Sequence, residues 1–299
     1  MQDHSHSPAN YDRAFAIGFS LNLAFVIVEA VFGVLAGSLA LLADAGHNLT
    51  DVLGLVLAWG ANYLMKRPPS ERRTYGWRRS SILAALLNAV ILFVAVGGIG
   101  WEAILRLGAP SPVQGKTILW VAGMGVLINT ATALLFVRGR KKDLNIRGAF
   151  LHMAADAGVS AGVVLAGIGI LVTGWLWLDP VTSLLIVGII LVTTWDLLHE
   201  SMNLALDAVP QSIDPEAVKD YLATLPGVTE IHDLHIWGLS TSEAALTAHL
   251  VKPDPKDDDL VITEARKALH DRFGIRHITL QWEREAGTYQ CSAPGLGTS

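Results

Sequence analysis

Ser38 to Leu57 reads SLALLADAGHNLTDVLGLVL, an apolar helix interrupted by polar groups. At about 100° per residue, Asp44, His47, Asn48 and Asp51 fall on one narrow face, spaced i, i+3, i+4 and i+7. An Asp at the centre of a membrane helix costs about 2.5–3.5 kcal/mol on insertion scales. A stripe holding two of them beside a His is therefore a functional signal. The pattern recurs in FLHMAADAGVSAG, from Phe150, where His152, Asp156 and Ser160 share a face at i, i+4 and i+8. Two helices, each with His-x-x-x-Asp, supply two imidazoles and two carboxylates. Four such donors meeting at one point suit a tetrahedral zinc ion.

Composition agrees with lipid as the solvent. Of the 299 residues, 52% are hydrophobic and only 16% charged, with mean hydropathy +0.43. That is too apolar for an ordinary water-soluble domain. A net charge of −5 argues against nucleic acid as a partner. A single cysteine, Cys291, excludes an intrachain disulfide and Cys-rich metal sites. The first residues, MQDHSHSPANYDR, are polar and lack the pattern of a cleavable signal.

Six apolar segments are long enough to span a bilayer, which takes about 20 helical residues. They run roughly over 11–35, 39–64, 80–107, 117–137, 146–173 and 175–206. Gly37-Ser38 leaves almost no loop between the first two, making them antiparallel neighbours. Lys66, Arg67, Arg72, Arg73, Arg78 and Arg79 follow the second segment, and Arg138, Arg140, Lys141, Lys142 and Arg147 follow the fourth. The opposite side carries little beyond Arg106 and Lys116. The positive-inside rule places both basic loops, and with six spans both termini, in the cytoplasm.

After Pro210 the chain turns polar. Asp214-Pro215 reads as an N-cap and first helical residue, opening a helix that Pro226-Gly227 ends. Val228 to Trp237 and Ala244 to Val251 read as strands, Pro253 to Asp259 as an acidic loop, Leu260 to Phe273 as a helix and His277 to Glu283 as a last strand. The expected fold is thus an α-helical membrane protein, six transmembrane helices followed by an α+β ferredoxin-like (αββαβ) domain. Its expected divisions are a polar tail at 1–10, a membrane domain at 11–210, the α+β domain at 211–286 and a tail at 287–299.

Each constellation has a plainer alternative. A buried His–Asp pair also glues membrane helices together. Two pairs at identical spacing, flanked by Gly46, Gly54, Gly158 and Gly162, fit a metal better, because small residues admit close backbone approach. Asp44 and Asn48 read as cavity residues or as partners that orient His47, and Asp44 also as an occasional metal ligand. Ser160 reads as a packing hydroxyl, Asn22 and Glu29 as lining the same cavity, and Glu29 equally as facing an aqueous rim, without an assigned role. In the tail, His232, His235, His249, His270 and His277 are joined by Glu283 in one small module. Strand alternation is expected to turn His232 and His235 to opposite faces. No His-Glu-x-x-His metalloprotease motif is present, and no enzymatic activity is expected.

These residues resemble the cation diffusion facilitator family, in its zinc-exporter branch. The likeness spans nearly the whole chain and rests on GSLALLADAGHNLTD from Gly37, LHMAAD from Leu151, LDPVTSLLI from Leu178 and HDLHIW from His232. It implies a homodimeric, proton-coupled exporter of divalent metal in a bacterial plasma membrane. The implied transport ligands are His47, Asp51, His152 and Asp156. A His at the first position implies zinc, with cobalt or cadmium as further cargo. It also implies a cytoplasmic metal site at His232, His249, His277 and Glu283, with zinc there as a regulatory ion and no cofactor. Two departures stand out. The loop PPSERRTYGWRRS has no His, so a further metal site of some members is not expected. RGRKKDLN is basic, where others carry a His-rich loop. The alternative reading is a metal-selective channel or passive facilitator using the same site.

Overall fold

The computed structural model describes residues 12–137 and 144–285, with side chains from Ser20 to Val137 and from Arg147 to Glu285. The polar stretch 1–10, the basic run from Arg138 to Lys142, Cys291 and the tail 287–299 lie outside the described residues. Two compact units are present. One comprises the chain up to Val56 with Leu87–Trp195, the other Leu57–Leu86 with the chain from Asp196.

Six helices come first: α1 (Asp12–Ala36), α2 (Leu39–Met65), α3 (Ser80–Gly108), α4 (Gly115–Phe136), α5 (Leu144–Thr173) and α6 (Leu178–Ala205). Among the described residues, four apolar stretches are long enough to cross a bilayer: Ser80–Gly108, Gly115–Phe136, Arg147–Thr173 and Leu178–Ala205. α2, at 27 residues, has the length. Its polar stripe dilutes its apolar character, which is what sets it apart from those four. In α1 the described apolar part is Ser20–Ala36.

Every one of the six contributes to the core of the first unit, through Phe25, Leu41, Val96, Ile118, Val163 and Ile190. α4 lies along both α5 and α1. Gly125 permits this: a Cβ there would stand 2.8 Å from Phe25 Cζ and 3.0 Å from Ser160 Oγ. Large apolar side chains such as Val34, Val94, Trp120, Leu127, Leu165 and Val192 remain exposed, as a lipid-facing surface requires.

The turn between α1 and α2 uses Gly37 at φ 66°, a left-handed conformation natural to glycine. The first turn of α2 then lacks an intrahelical partner for its N–H groups. Asp179, one residue into α6, supplies it. Its carboxylate accepts from Leu39 N at 2.8 Å, Ala40 N at 3.3 Å and Ser38 Oγ at 2.5 Å. A side chain from another helix thus caps α2.

The second unit holds α7 (Pro215–Ala223), β1 (Glu230–Gly238), β2 (Ala244–Val251), α8 (Asp258–Phe273) and β3 (Ile275–Glu283). Asp214 caps α7, accepting from Glu216 N at 3.0 Å and Ala217 N at 3.3 Å. The sheet order is β1-β2-β3, with β1 antiparallel and β3 parallel to β2. Parallel pairing needs a crossover, and α8 provides it, closing at Gly274 with φ 71°. Val218, Leu222, Leu246, Leu250, Leu269 and Ile275 form the core beneath. The αββαβ order is the expected one, though α8 begins two residues earlier and takes in the end of the acidic loop.

One expectation fails in β1. His232 pairs with His249 and His235 with Thr247, with a register shift between them. His249 and Thr247 are two apart on β2 and share a face, so His232 and His235 share one too. The cause is a bulge: Asp233 adopts φ 53°, and the extra residue restores the parity that strict alternation would have broken.

Candidate metal centre

α2 presents His47 and Asp51 one turn apart, and α5 presents His152 and Asp156 likewise. The two faces meet. His47 Nε2 lies 4.0 Å from Asp51 Oδ2 and 3.4 Å from Asp156 Oδ1. His152 Nε2 lies 3.2 Å from Asp51 Oδ2 and 3.6 Å from Asp156 Oδ2. The ring centroids of the two histidines are 6.2 Å apart. Asp51, His152 and Asp156 each bring one donor atom within 4.8 Å of the others, and His47 joins them across Asp156. A tetrahedral zinc site with bonds of about 2.0–2.1 Å has donor–donor edges of about 3.3–3.4 Å. The observed spacings bracket that value. Oδ2 of Asp51 and Oδ2 of Asp156 are buried without a hydrogen-bond donor, as oxygens meant for a cation would be. Asp156 is buried while His152 is the most exposed of the four, so the centre opens past His152.

Asp44 and Asn48 occupy the same stripe but turn elsewhere. Asp44 accepts from Ser160 Oγ at 2.9 Å, and Asn48 Nδ2 lies 3.5 Å from Asp44 Oδ1 and 3.4 Å from Glu29 Oε2. No hydrogen bond between Asp44 and His47 is found among the described residues. The expected orienting role toward His47 is not what the geometry offers. Ser160 is more than a packing hydroxyl, and Glu29 is fully buried. The seven-residue spacing of Asn22 and Glu29 hinted at an inward face, but Glu29's partners belong to other helices.

The second unit carries a separate cluster. Glu283 on β3 lies 3.1 Å from His232 Nε2 and 2.8 Å from His249 Nδ1, and these three form a group able to hold a metal. Asp233, on the bulge, stands 3.0 Å from His235 Nε2 and 3.8 Å from His249 Nε2. Strand alternation gave no hint of this, since the bulge is a backbone event. His277 does not join them within one chain. It pairs in register with Ala245, whereas Glu283 pairs with Val251. His277 Nε2 instead lies 3.1 Å from Arg78 Nη1, with the Tyr75 ring edge-on at 5.8 Å. Burial, then Arg78 and Arg276, hold its pKa below the usual histidine value. Arg78 also pairs with Glu243. His270, on α8, is exposed beside Asp271.

Residues 15–204 match the model of the cation efflux transmembrane domain, and residues 210–285 that of the cation efflux protein cytoplasmic domain. The chain belongs to the cation efflux family. It is a multi-pass membrane transporter with a cytoplasmic C-terminal domain, and not an enzyme. Among its relatives, the metal cation efflux system protein CzcD of Cupriavidus metallidurans is 39% identical over 94% of this chain and 89% of its own length. The zinc transporter ZitB of Escherichia coli is 37% identical, over 94% and 91%. The cadmium, cobalt and zinc/H(+)-K(+) antiporter of Bacillus subtilis is 34% identical, over 95% and 92%. The Glu29–Asp44–Ser160 group lies toward the Asp179-capped end of α2 from the histidine–aspartate centre.

Proposed function

We propose that this protein exports zinc, with cobalt and cadmium as further cargo, from the cytoplasm in exchange for protons. The four donors His47, Asp51, His152 and Asp156 hold the ion midway across the membrane. The observation that carries this reading is the meeting of two His-x-x-x-Asp faces at donor spacings suited to one tetrahedral ion. The names of the Escherichia coli and Bacillus subtilis relatives, a zinc transporter and a cadmium, cobalt and zinc/H(+)-K(+) antiporter, support the cargo and proton coupling.

The chemistry follows from the ligands. Metal binding requires neutral imidazoles and ionised carboxylates, so loading releases protons. An empty cluster of carboxylates in a low dielectric favours proton uptake. Alternating exposure of the site to the two sides then turns binding linkage into exchange. A single tight site suits stepwise carriage better than conduction, which needs weak or multiple sites.

The cytoplasmic domain is read as the dimerising module, with zinc at His232, His249 and Glu283 as its regulatory ion. Metal held there would bias the transport domain through linkage. The deciding experiment is transport by purified protein in liposomes, with zinc, cobalt and cadmium and an imposed pH difference. Metal flux that drives opposing proton flux is expected. Metal flux indifferent to the pH gradient would favour a passive facilitator.

A further inference from the structure

The geometry points to Glu29 as a group that gives up a proton when the intramembrane metal site fills. This rests on the exchange reading and adds to it a titrating residue outside the four ligands. Glu29 is completely buried in α1. Its Oε2 accepts from Asn48 Nδ2 at 3.4 Å, and the same amide leans on Asp44 Oδ1 at 3.5 Å. Its Oε1 is buried with no hydrogen-bond partner among the described residues. Asp44 is equally buried, and its other oxygen accepts from Ser160 Oγ at 2.9 Å.

Two carboxyl groups thus share one amide in an interior that solvates charge poorly. Among the described residues, no basic side chain touches either of them. α4, packed against α1, has no charged residue after Lys116. From α2 the charged groups facing this pair are Asp44 itself and, farther along, His47 and Asp51. From α5 there is Asp156, one turn from Ser160. Two like charges so placed disfavour each other, so one proton stays on the pair while the neighbouring centre is empty. A divalent cation at that centre lies about one to two helical turns, roughly 5–10 Å, from Asp44. Its charge favours the fully ionised pair, and Glu29's proton leaves. The balance is simple: one O–H bond breaks, and one proton goes to solvent for each ion bound.

The test uses full-length protein in detergent and weak buffer, titrated with zinc ion while protons are counted with a pH-sensitive dye. Calorimetry in parallel gives the zinc stoichiometry. Glu29→Gln is expected to bind the same number of zinc ions and release about one proton fewer per ion at the membrane site. Glu29→Asp, which keeps a carboxyl, is expected to restore most of that release. Unchanged proton release in Glu29→Gln would overturn the assignment. So would loss of zinc binding in both variants, which would make Glu29 a structural group. Wild-type protein that binds zinc with no proton release would instead sink the exchange reading itself, and this inference with it.

Discussion

Asp156 stands between the two imidazoles, with Oδ1 3.4 Å from His47 Nε2 and Oδ2 3.6 Å from His152 Nε2. One buried carboxylate therefore addresses a ligand on its own helix and a ligand on the neighbouring one. Its removal should cost more than that of any single histidine. Asp156→Ala is predicted to abolish zinc-driven proton release in proteoliposomes, and His47→Ala to reduce it at least tenfold. Normal exchange in either variant would remove these residues from the site.

Asp179 provides the acceptors for the first turn of α2. Loss of an N-cap typically costs about 0.5–2 kcal/mol, and unsatisfied N–H groups near lipid cost more. Asp179→Ala should lower the thermal midpoint of the detergent-solubilised protein by several degrees. Asp179→Asn, which retains an acceptor oxygen, should lose less. Circular dichroism melts would distinguish them, and equal melts would deny the cap its role.

His277 gives a pH dependence with a definite sign. Its pKa is depressed in the folded protein, chiefly by burial and then by Arg78 and Arg276. The unfolded chain, at about 6.5, takes its proton first as pH falls. The stabilisation is present above about pH 6.5 and is lost as acidity approaches the folded value. His277→Gln should flatten the pH dependence of stability below about 6.5, as read by denaturant unfolding at a series of pH values. An unaltered slope would contradict the assignment.

Glu283 is the shared partner of His232 and His249. Glu283→Gln is predicted to lower the zinc bound per protomer by one. It should also remove part of the rise in thermal midpoint that zinc gives. A ligand at 100 times its Kd stabilises by about 2.7 kcal/mol, so the difference is measurable by calorimetry. Identical zinc stoichiometry in the variant would exclude a metal at this cluster.

The membrane centre was legible because helical periodicity is regular. Spacings of i and i+4 put His47 with Asp51, and His152 with Asp156, on one face of each helix. What could not be read was anything decided by backbone irregularity or by a partner distant in sequence. The left-handed Asp233 turned His235 onto the face of His232, and no local pattern announces such a bulge. The parallel register of β3 carried His277 away from Glu283's cluster. Glu29 gained its meaning from Asn48 and, through it, Asp44, a contact between helices that composition does not encode. Asp179 sat within a recognisable motif, but its partner at Leu39 is 140 residues away.

The turn at Gly37 and Ser38 has one more implication. Because α6 lends a carboxylate to the start of α2, the polypeptide reverses direction in two residues with its amide hydrogens satisfied. With Gly174 turning the chain just ahead of α6 at φ 71°, the chain has little slack backbone at these two turns. Limited proteolysis of the detergent-solubilised protein should therefore find few cleavable bonds near these turns.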